Sequence, residues 1–528
     1  MVLRISGLAT GIDIDKWVTD LMKAHRAPLD RVRQDRQLWQ WRQEDYRAMN
    51  TSLLSLRSEV FNLKLQGTFQ VKTVTSSDPQ VVTASAGSSA AATTYQVKVE
   101  RLASAATNAS AAAITATSID PGATLASQQA SFTNGLDSDF GWDPATHEFS
   151  FTINGQNFSF DGDTATLNSV MAAVNASTGA GVSMFYDPST RKVAIATTRT
   201  GDYNPGGPEI LLSGSFLTSV LQLDENNEQG GEDASFEING LSGMTSHDNS
   251  YTANGVTFNF TGTTAGGFGG AAATVTVAQD VDRVVNSIKS FVDRYNEVVA
   301  AINGKLSEER YRDYRPLTDE QVEEGKLTDA QIDAWTAKAR SGLLKNDSIL
   351  QSALSSMRQV LSSSVAGLTG QITVQSGTQS ITTTADNLSK IGITASGSYQ
   401  ENGRLYLNED RLREALQSNP QAVMELFTRT SEAAGEKGIA VQLYDSINAA
   451  ISRITAQAGS SSSLVDNSNI GRTIRQIDER IDTMEERLEE LEDRYYRQFT
   501  AMETAISRLN SQSAWLAQQF GGGGTGQQ

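Results

Sequence analysis

Two apolar seams, one at each end of the chain, restrict what it can fold into more than any other feature. Near the C-terminus Ile474, Ile477, Ile481, Met484, Leu488, Leu491 and Tyr495 recur in alternating steps of three and four; after a break, Phe499, Met502, Ile506 and Leu509 continue the row. That is the spacing of a coiled-coil helix. Asp478, Glu479, Arg480, Glu485, Glu486, Arg487, Glu489, Glu490, Asp493 and Arg494 lie between the seam positions, charges of both signs that suit the flanks of a helix pair. At the other end Asp13 is an expected N-cap for a helix carrying Ile14, Trp17, Val18, Leu21, Met22, His25, Leu29 and Val32 on one face, with Pro28 as a kink or boundary. A second helical stretch carries Tyr46, Met49, Leu53, Leu56, Val60 and Leu63 and stops at Gly67. The natural partner of the C-terminal seam is the N-terminal one. Pairing them turns everything between into an insertion on a helical stalk.

The middle of the chain changes period. From about residue 69 to 277, β-branched and polar residues alternate, as in Tyr95-Gln96-Val97-Lys98-Val99 and Thr274-Val275-Thr276-Val277, broken by Gly, Asn and Asp turns. Phe151-Thr152-Ile153-Asn154-Gly155, Phe236-Glu237-Ile238-Asn239-Gly240 and the later Asn254-Gly255 repeat one hairpin signal and suggest two similar β modules. The run Gly262–Gly270 reads as a loop or linker and Asp224–Asp233 as an exposed acidic loop. Helical spacing returns with Val281, Val284, Val285, Ile288, Phe291, Val292 and Tyr295. Ser341-Gly342-Leu343-Leu344-Lys345-Asn346-Asp347 opens another helix through Leu354 and Val360, and Asn408 is expected to cap a helix over Leu412, Leu416, Val423, Leu426 and Phe427. At 528 residues the chain exceeds one core, since domains split beyond roughly 300 residues. The expected fold is an α+β multidomain chain: long terminal coiled-coil helices forming a stalk, with β-rich head domains inserted between them. The expected division is 1–42 and 472–528 as leg helices, 43–70 and 278–471 as a helical or mixed base, 71–145 and 235–277 as a β-rich head, and 146–234 as a second β-rich head inserted in the first.

Composition removes several function classes. A net charge of −18 repels phosphate backbones and anionic headgroups, which argues against nucleic acid and membrane surfaces as partners. The absence of cysteine removes disulfides, thiol nucleophiles and thiolate metal sites. It fits life outside the cytosol as well as a proteome in which cysteine is simply rare. No stretch approaches the roughly 20 apolar residues of a spanning helix, and Asp13 and Asp15 interrupt any cleavable signal, so export would use an uncleaved terminus. Gly304-Lys305-Leu306-Ser307 lacks the residues of a phosphate loop, and His25, His147 and His247 have no partner at metal-ligand spacing. Asp137, Asp139 and Asp143 have part of a calcium loop's spacing, with a glycine where another ligand belongs. No enzyme activity, catalytic residue, metal or cofactor is expected. The expected sites are partner contacts on the terminal helices: Ile14, Trp17, Val18, Leu21, Met22, Leu29, Ile481, Leu488, Leu491, Phe499, Met502, Ile506, Leu509, Trp515, Leu516 and Phe520. The competing reading of such stripes is burial within one chain.

The order of motifs resembles the flagellar filament-cap family, also called flagellar hook-associated protein 2. It rests on Ser6-Gly7-Leu8-Ala9-Thr10-Gly11-Ile12-Asp13 with Leu21-Met22 and Ala27-Pro28-Leu29, on Tyr95–Leu102, Phe236–Gly240, Ile288–Asn296, Ser341–Asp347, Ile391-Gly392-Ile393 and Leu405–Phe427, and on Asn510-Ser511-Gln512-Ser513. His25 stands where that family usually carries an acid, and the Gly521–Gly524 run is unusual for it. The resemblance implies a ring of copies, expected as a pentamer, at the tip of the flagellum outside the cell. It also implies flagellin, hook-filament junction proteins, the flagellar export apparatus and a cytosolic export chaperone as partners. Flagellin would be retained, folded and inserted beneath the ring. Two alternatives stay open: another axial component, at the hook-filament junction or flagellin itself, and a surface adhesin in which Phe140, Trp142, Phe149 and Tyr186 stack on sugars instead of filling a hairpin core. A secondary adhesion role is compatible with capping.

Overall fold

The computed structural model describes residues 13–136, 142–323, 325–377, 379–398, 401–460 and 465–521. The chain divides into two compact units, one built from its two ends, through Phe69 and from Val281 on, the other spanning Gln70–Asp280.

The terminal unit is organised on one helix, Ile14–Lys64, of 51 residues. Asp13 caps it, its carboxylate accepting from Lys16 N at 3.0 Å. The helix runs on through Pro28. Proline removes one backbone donor, but Met22, Leu29 and Val32 are buried on either side and carry the helix past it. Its second half does not extend the seam with the C-terminus. Tyr46, Met49, Leu53, Leu56, Val60 and Leu63 sink into a helical core with the apolar faces of Val281–Ser307, Ser348–Ser362 and Ile439–Ala458. A three-four step is shared by every packed helix, so the pattern alone does not name the partner.

The expected helix after Asn408 is two. Asn408 caps Glu409–Ser418, then Asn419 leaves helical geometry and caps Pro420–Thr428, its side chain accepting from Ala422 N at 3.0 Å. A residue before proline is pushed out of the α region, and proline at the first helical position suits a new start.

The Gln70–Asp280 unit holds two β cores. The first is a five-stranded antiparallel sheet in the order Lys72–Ser76, Ala273–Gln279, Thr93–Arg101, Ala234–Ile238, Leu241–Ser246, together with a three-stranded sheet of Ser250–Ala253, Val256–Phe260 and Val82–Ala86. Val97, Val99, Phe236, Phe258 and Val275 fill it. The second core gathers Ala106 to Leu223 from two three-stranded sheets and the helix Leu167–Ala176. All three repeated hairpins turn as expected: Asn154 and Gly155, Asn239 and Gly240, Asn254 and Gly255 each have positive φ, the turn whose twist matches paired strands.

Trp142 and Phe149 lie in the second core at 2% and 3% exposure, stacked on each other at 5.7 Å. This is the hairpin-core role. Gly162 lies beneath the indole, where a Cβ would come 1.9 Å from the ring. Tyr186 packs half-buried against the same core, and Phe140, Asp137 and Asp139 lie outside the described residues.

The acidic loop turns inward for part of its length. Glu228 accepts from the backbone N–H groups of Glu209 and Ile210, Glu225 from that of Leu212, and Asp233 from that of Asp202. These carboxylates satisfy backbone donors that no strand partner reaches.

Burial pushes the Tyr295 hydroxyl up to about 12, and it donates to the Gly403 carbonyl at 3.3 Å. A group whose folded pKa is raised gives stability that is complete below the unfolded value, near 10 for tyrosine, and lost as pH rises. Between pH 10 and about 12 stability should fall by about 1.4 kcal/mol per pH unit for this group. Urea unfolding of Tyr295→Phe should show that share of the alkaline loss removed.

Candidate partner-binding stalk

The C-terminal helix, Asn469–Gly521, is 53 residues long and runs antiparallel to the first half of the N-terminal helix. Ile14, Val18 and Met22 pack against Leu488, Leu491, Tyr495, Tyr496 and Phe499. Lower down, Leu29 and Val32 meet Ile477, Ile481, Met484 and Leu488. The Trp17 ring stands edge-on to Phe499 at 6.2 Å although Trp17 is 55% exposed. His25 is exposed, its Nε2 3.1 Å from the Tyr495 hydroxyl.

Charged pairs flank this thin seam. Arg33 meets Glu485 at 2.6 Å, Arg36 meets Asp478, Arg26 meets Glu492 at 3.7 Å, and Tyr496 donates to Asp15 at 3.0 Å. Exposed pairs of this kind contribute no more than about 1 kcal/mol each. Their effect is on register: each sits where one antiparallel offset brings opposite charges together.

The structure therefore brings Ile14, Trp17, Val18, Met22, Leu29, Ile481, Leu488, Leu491 and Phe499 into one seam within the chain. It does not bring in the others. Leu21 is 39% exposed, and beyond Phe499 the helix continues through Met502, Ile506, Leu509, Trp515 and Leu516 with no packing partner among the described residues. Leu509 and Trp515 are 62% and 61% exposed. Phe520 lies on the last turn, and its side chain is outside the described residues.

Sequence reasoning missed what holds the stalk at its base. Asp45 lies on the N-terminal helix and draws cations to it, while Asp347 and Asp466 are brought to that helix from distant parts of the chain. Asp45 is 4% exposed and takes Arg340 at 3.0 Å and Lys305 at 3.4 Å. The Asp347 carboxylate caps Ser348–Ser362 by accepting from Ile349 N and Leu350 N, and also accepts from the Tyr46 hydroxyl and faces Arg42 at 3.5 Å. Burial first, then the bond to Asp347, pushes the Tyr46 hydroxyl up and keeps it a neutral donor. Burial works against the Asp466 charge, yet hydrogen bonds from Ser468 and the Arg47 guanidinium at 2.9 Å outweigh it and hold the carboxyl below its usual range. A Cβ at Gly459 or Gly471 would come 2.5 Å from Asp466, so both stay glycine for space. The sequence signal was faint: Arg42 and Arg47 bracket Asp45 on one helix, but their partners lie hundreds of positions away.

The family model for the flagellar hook-associated protein 2 C-terminus matches residues 231–511, and that for the N-terminus of the same family matches residues 10–106. The chain belongs to the flagellar hook-associated protein 2 family. Flagellar hook-associated protein 2 of Halalkalibacterium halodurans is 32% identical over 98% of this chain and 100% of its own length. The A-type flagellar hook-associated protein 2 of Pseudomonas aeruginosa is 25% identical over 97% of this chain and 96% of its own. The D1-D2-D3 domains of the flagellar cap protein FliD from Escherichia coli share the fold with a TM-score of 0.51 at 18% identity, over 82% of this chain and 99% of that one. In this member of the family, no three His, Asp or Glu side chains gather as metal ligands among the described residues, and none of their helices is long and apolar enough to cross a membrane.

Removing the Asp45 carboxylate takes away a buried partner of Lys305 and Arg340 and leaves them to the more exposed Glu308 and Glu44, each at 3.0 Å. Breaking a fully buried pair costs about 3–5 kcal/mol, and the partial exposure of both cations lowers this to about 2–3 kcal/mol. Asp45→Ala should lower the unfolding free energy from urea denaturation by that amount, while Asp482→Ala, on an exposed face, should leave it within about 0.5 kcal/mol.

Proposed function

We propose that this chain caps the flagellar filament at its tip outside the cell, as a ring of copies, a pentamer in the first instance, held on the filament end by the terminal helices. The observation that carries the reading is the half-used stripe of the C-terminal helix: up to Phe499 it is covered within the chain, whereas Met502, Leu509, Trp515 and Leu516 are exposed with no cover among the described residues. A single stable fold gains nothing from large apolar groups in water. A stalk that ends inside a neighbouring assembly does.

In this reading residues 1–42 and 472–528 are legs, 43–70 and 278–471 their base, and 71–145 with 235–277, together with the inserted 146–234, the plate. The open row, including Trp515 and Leu516, meets filament or hook-filament junction proteins. Flagellin arriving through the channel is retained under the plate and folds there before insertion. The chain travels by the flagellar export apparatus without a cleaved signal, escorted by a chaperone that covers the terminal stripes. Binding and release replace bond chemistry, so no enzyme activity enters the reading. With Trp142 and Phe149 inside a core, no observation favours the adhesin alternative.

A cap-deletion strain separates the alternatives. The full-length chain should restore motility and stop flagellin leaking into the medium; a chain without 1–42 and 472–528 should stay folded by circular dichroism and restore neither. Leu509→Ser with Trp515→Ser should lose capping with an unchanged melting temperature. Secretion of the full-length chain without any rescue would move the reading to a junction component.

A further inference from the structure

A cleft of about 750 Å³ opens in the terminal unit where the two long helices meet the turn around Gly342–Asn346. Val32, Trp39 and Ile477 give it an apolar floor, and Arg42, Arg310, Arg312, Lys345 and Arg480 surround that floor. Five cations on one cleft stand out in a chain of net charge −18. The acid on its lining, Asp35, is already held by Arg315 at 3.2 Å. Among the described residues Arg312, Lys345 and Arg480 meet no carboxylate, and the Nε of Arg42 is closed off from solvent without a hydrogen-bond partner. Arg310 donates to the Ala339 and Ser341 carbonyls at 2.7 and 3.1 Å, and burial, then the charge of Arg312, push its guanidinium below its usual range.

The matching anions lie on the other side of the same helix. Glu479, Asp482, Glu486 and Glu489 are exposed and, among the described residues, paired with no cation. At about 100° per residue they share one face of the C-terminal helix, and the cleft-lining Thr473, Gln476, Ile477 and Arg480 share the opposite one. The neighbouring acids Asp478 and Glu485 point to the flank and are already paired with Arg36 and Arg33. Groups on opposite faces of one helix cannot meet within one copy. They meet if a second copy stands alongside. Glu479 and Asp482 lie within one turn of Arg480, so this end of the row sits at the height of the cleft; Glu486 and Glu489 lie about 9 and 13 Å further along the helix, so a rotation about an axis along the stalk with a small shift joins cleft and row.

We infer that the basic cleft of one copy receives the acidic row Glu479–Asp482–Glu486–Glu489 of the next, a head-to-tail contact between stalk bases. Such a contact uses two different patches, so it repeats around a circle and closes a ring when the rotation divides the turn. The inference rests on the filament-cap reading and names the partner of this surface as a second copy of the chain.

Sedimentation velocity of the purified full-length chain tests it. Arg312→Glu with Lys345→Glu should weaken assembly at least about tenfold, as should Asp482→Lys with Glu486→Lys, and all four together should restore it. Raised salt should weaken the unaltered assembly. These side chains are exposed, so melting temperatures should hold. Unchanged assembly in either pair of reversals, no restoration in the fourfold variant, or a monomer throughout would overturn the inference. Because the chain has no cysteine, Lys345→Cys with Asp482→Cys offers a second reading: on oxidation the double variant should give a ladder of linked copies and each single variant none, and a missing ladder overturns it too. Rescue of a cap-deletion strain by the unaltered chain judges the cap reading separately, so the two failures are distinguishable.

Discussion

A helix of 51 residues is stable in water only if its apolar stripe is covered along its length, and the terminal unit is arranged to cover this one. From Ile14 to Val32 the cover is the C-terminal helix. From Tyr46 to Leu63 it is a core of Val281–Ser307, Ser348–Ser362 and Ile439–Ala458. One rigid element thus belongs to two packing environments: a thin two-helix seam with water on most sides and a dry helical core. The chain ends have to meet for the first of these, and the residues between them therefore form insertions.

Apolar packing alone leaves a long helix free to slide and rotate by a turn, because leucine-like stripes tolerate offset. The three base carboxylates remove that freedom. Asp45 ties the helix to Lys305 and Arg340, Asp347 to the start of Ser348–Ser362, and Asp466 to the segment leading into the C-terminal helix. A shift by one turn, about 5.4 Å, would part Asp45 from Lys305 and Arg340, Asp466 from Arg47, and Asp347 from Tyr46 and Arg42. Buried ion pairs contribute modestly to net stability and strongly to uniqueness of register when one misplacement strands several charges at once.

The inserted unit handles polar groups by the same economy of partners. Glu209, Glu225 and Glu228 accept backbone N–H groups between Asp202 and Ser213, where the chain has little strand pairing. Its second core depends on a stack of Trp142, Phe149, Phe151, Phe158, Phe160 and Phe216, whose ring contacts compensate for a sequence otherwise rich in small residues.

What depended on neighbours in sequence was legible from sequence. The helical seams, the caps at Asp13 and Asn408, and the Asn-Gly turns follow from local period, from a side chain within three residues of an open N–H, and from the positive φ a turn demands. The break at Asn419-Pro420 was legible too, had the proline been given its weight over the apolar spacing that runs through it. Tertiary structure alone decided the rest: that the N-terminal helix changes partner between Val32 and Tyr46, that Asp45 and Asp466 are structural while Glu479 and Asp482 face water, and that five cations converge on one cleft. A carboxylate reads the same in sequence whether solvated or paired. Its role is set by which cation, hundreds of residues away, the fold brings within about 4 Å, where excluding water strengthens the Coulomb attraction and at the same time costs both charges their hydration.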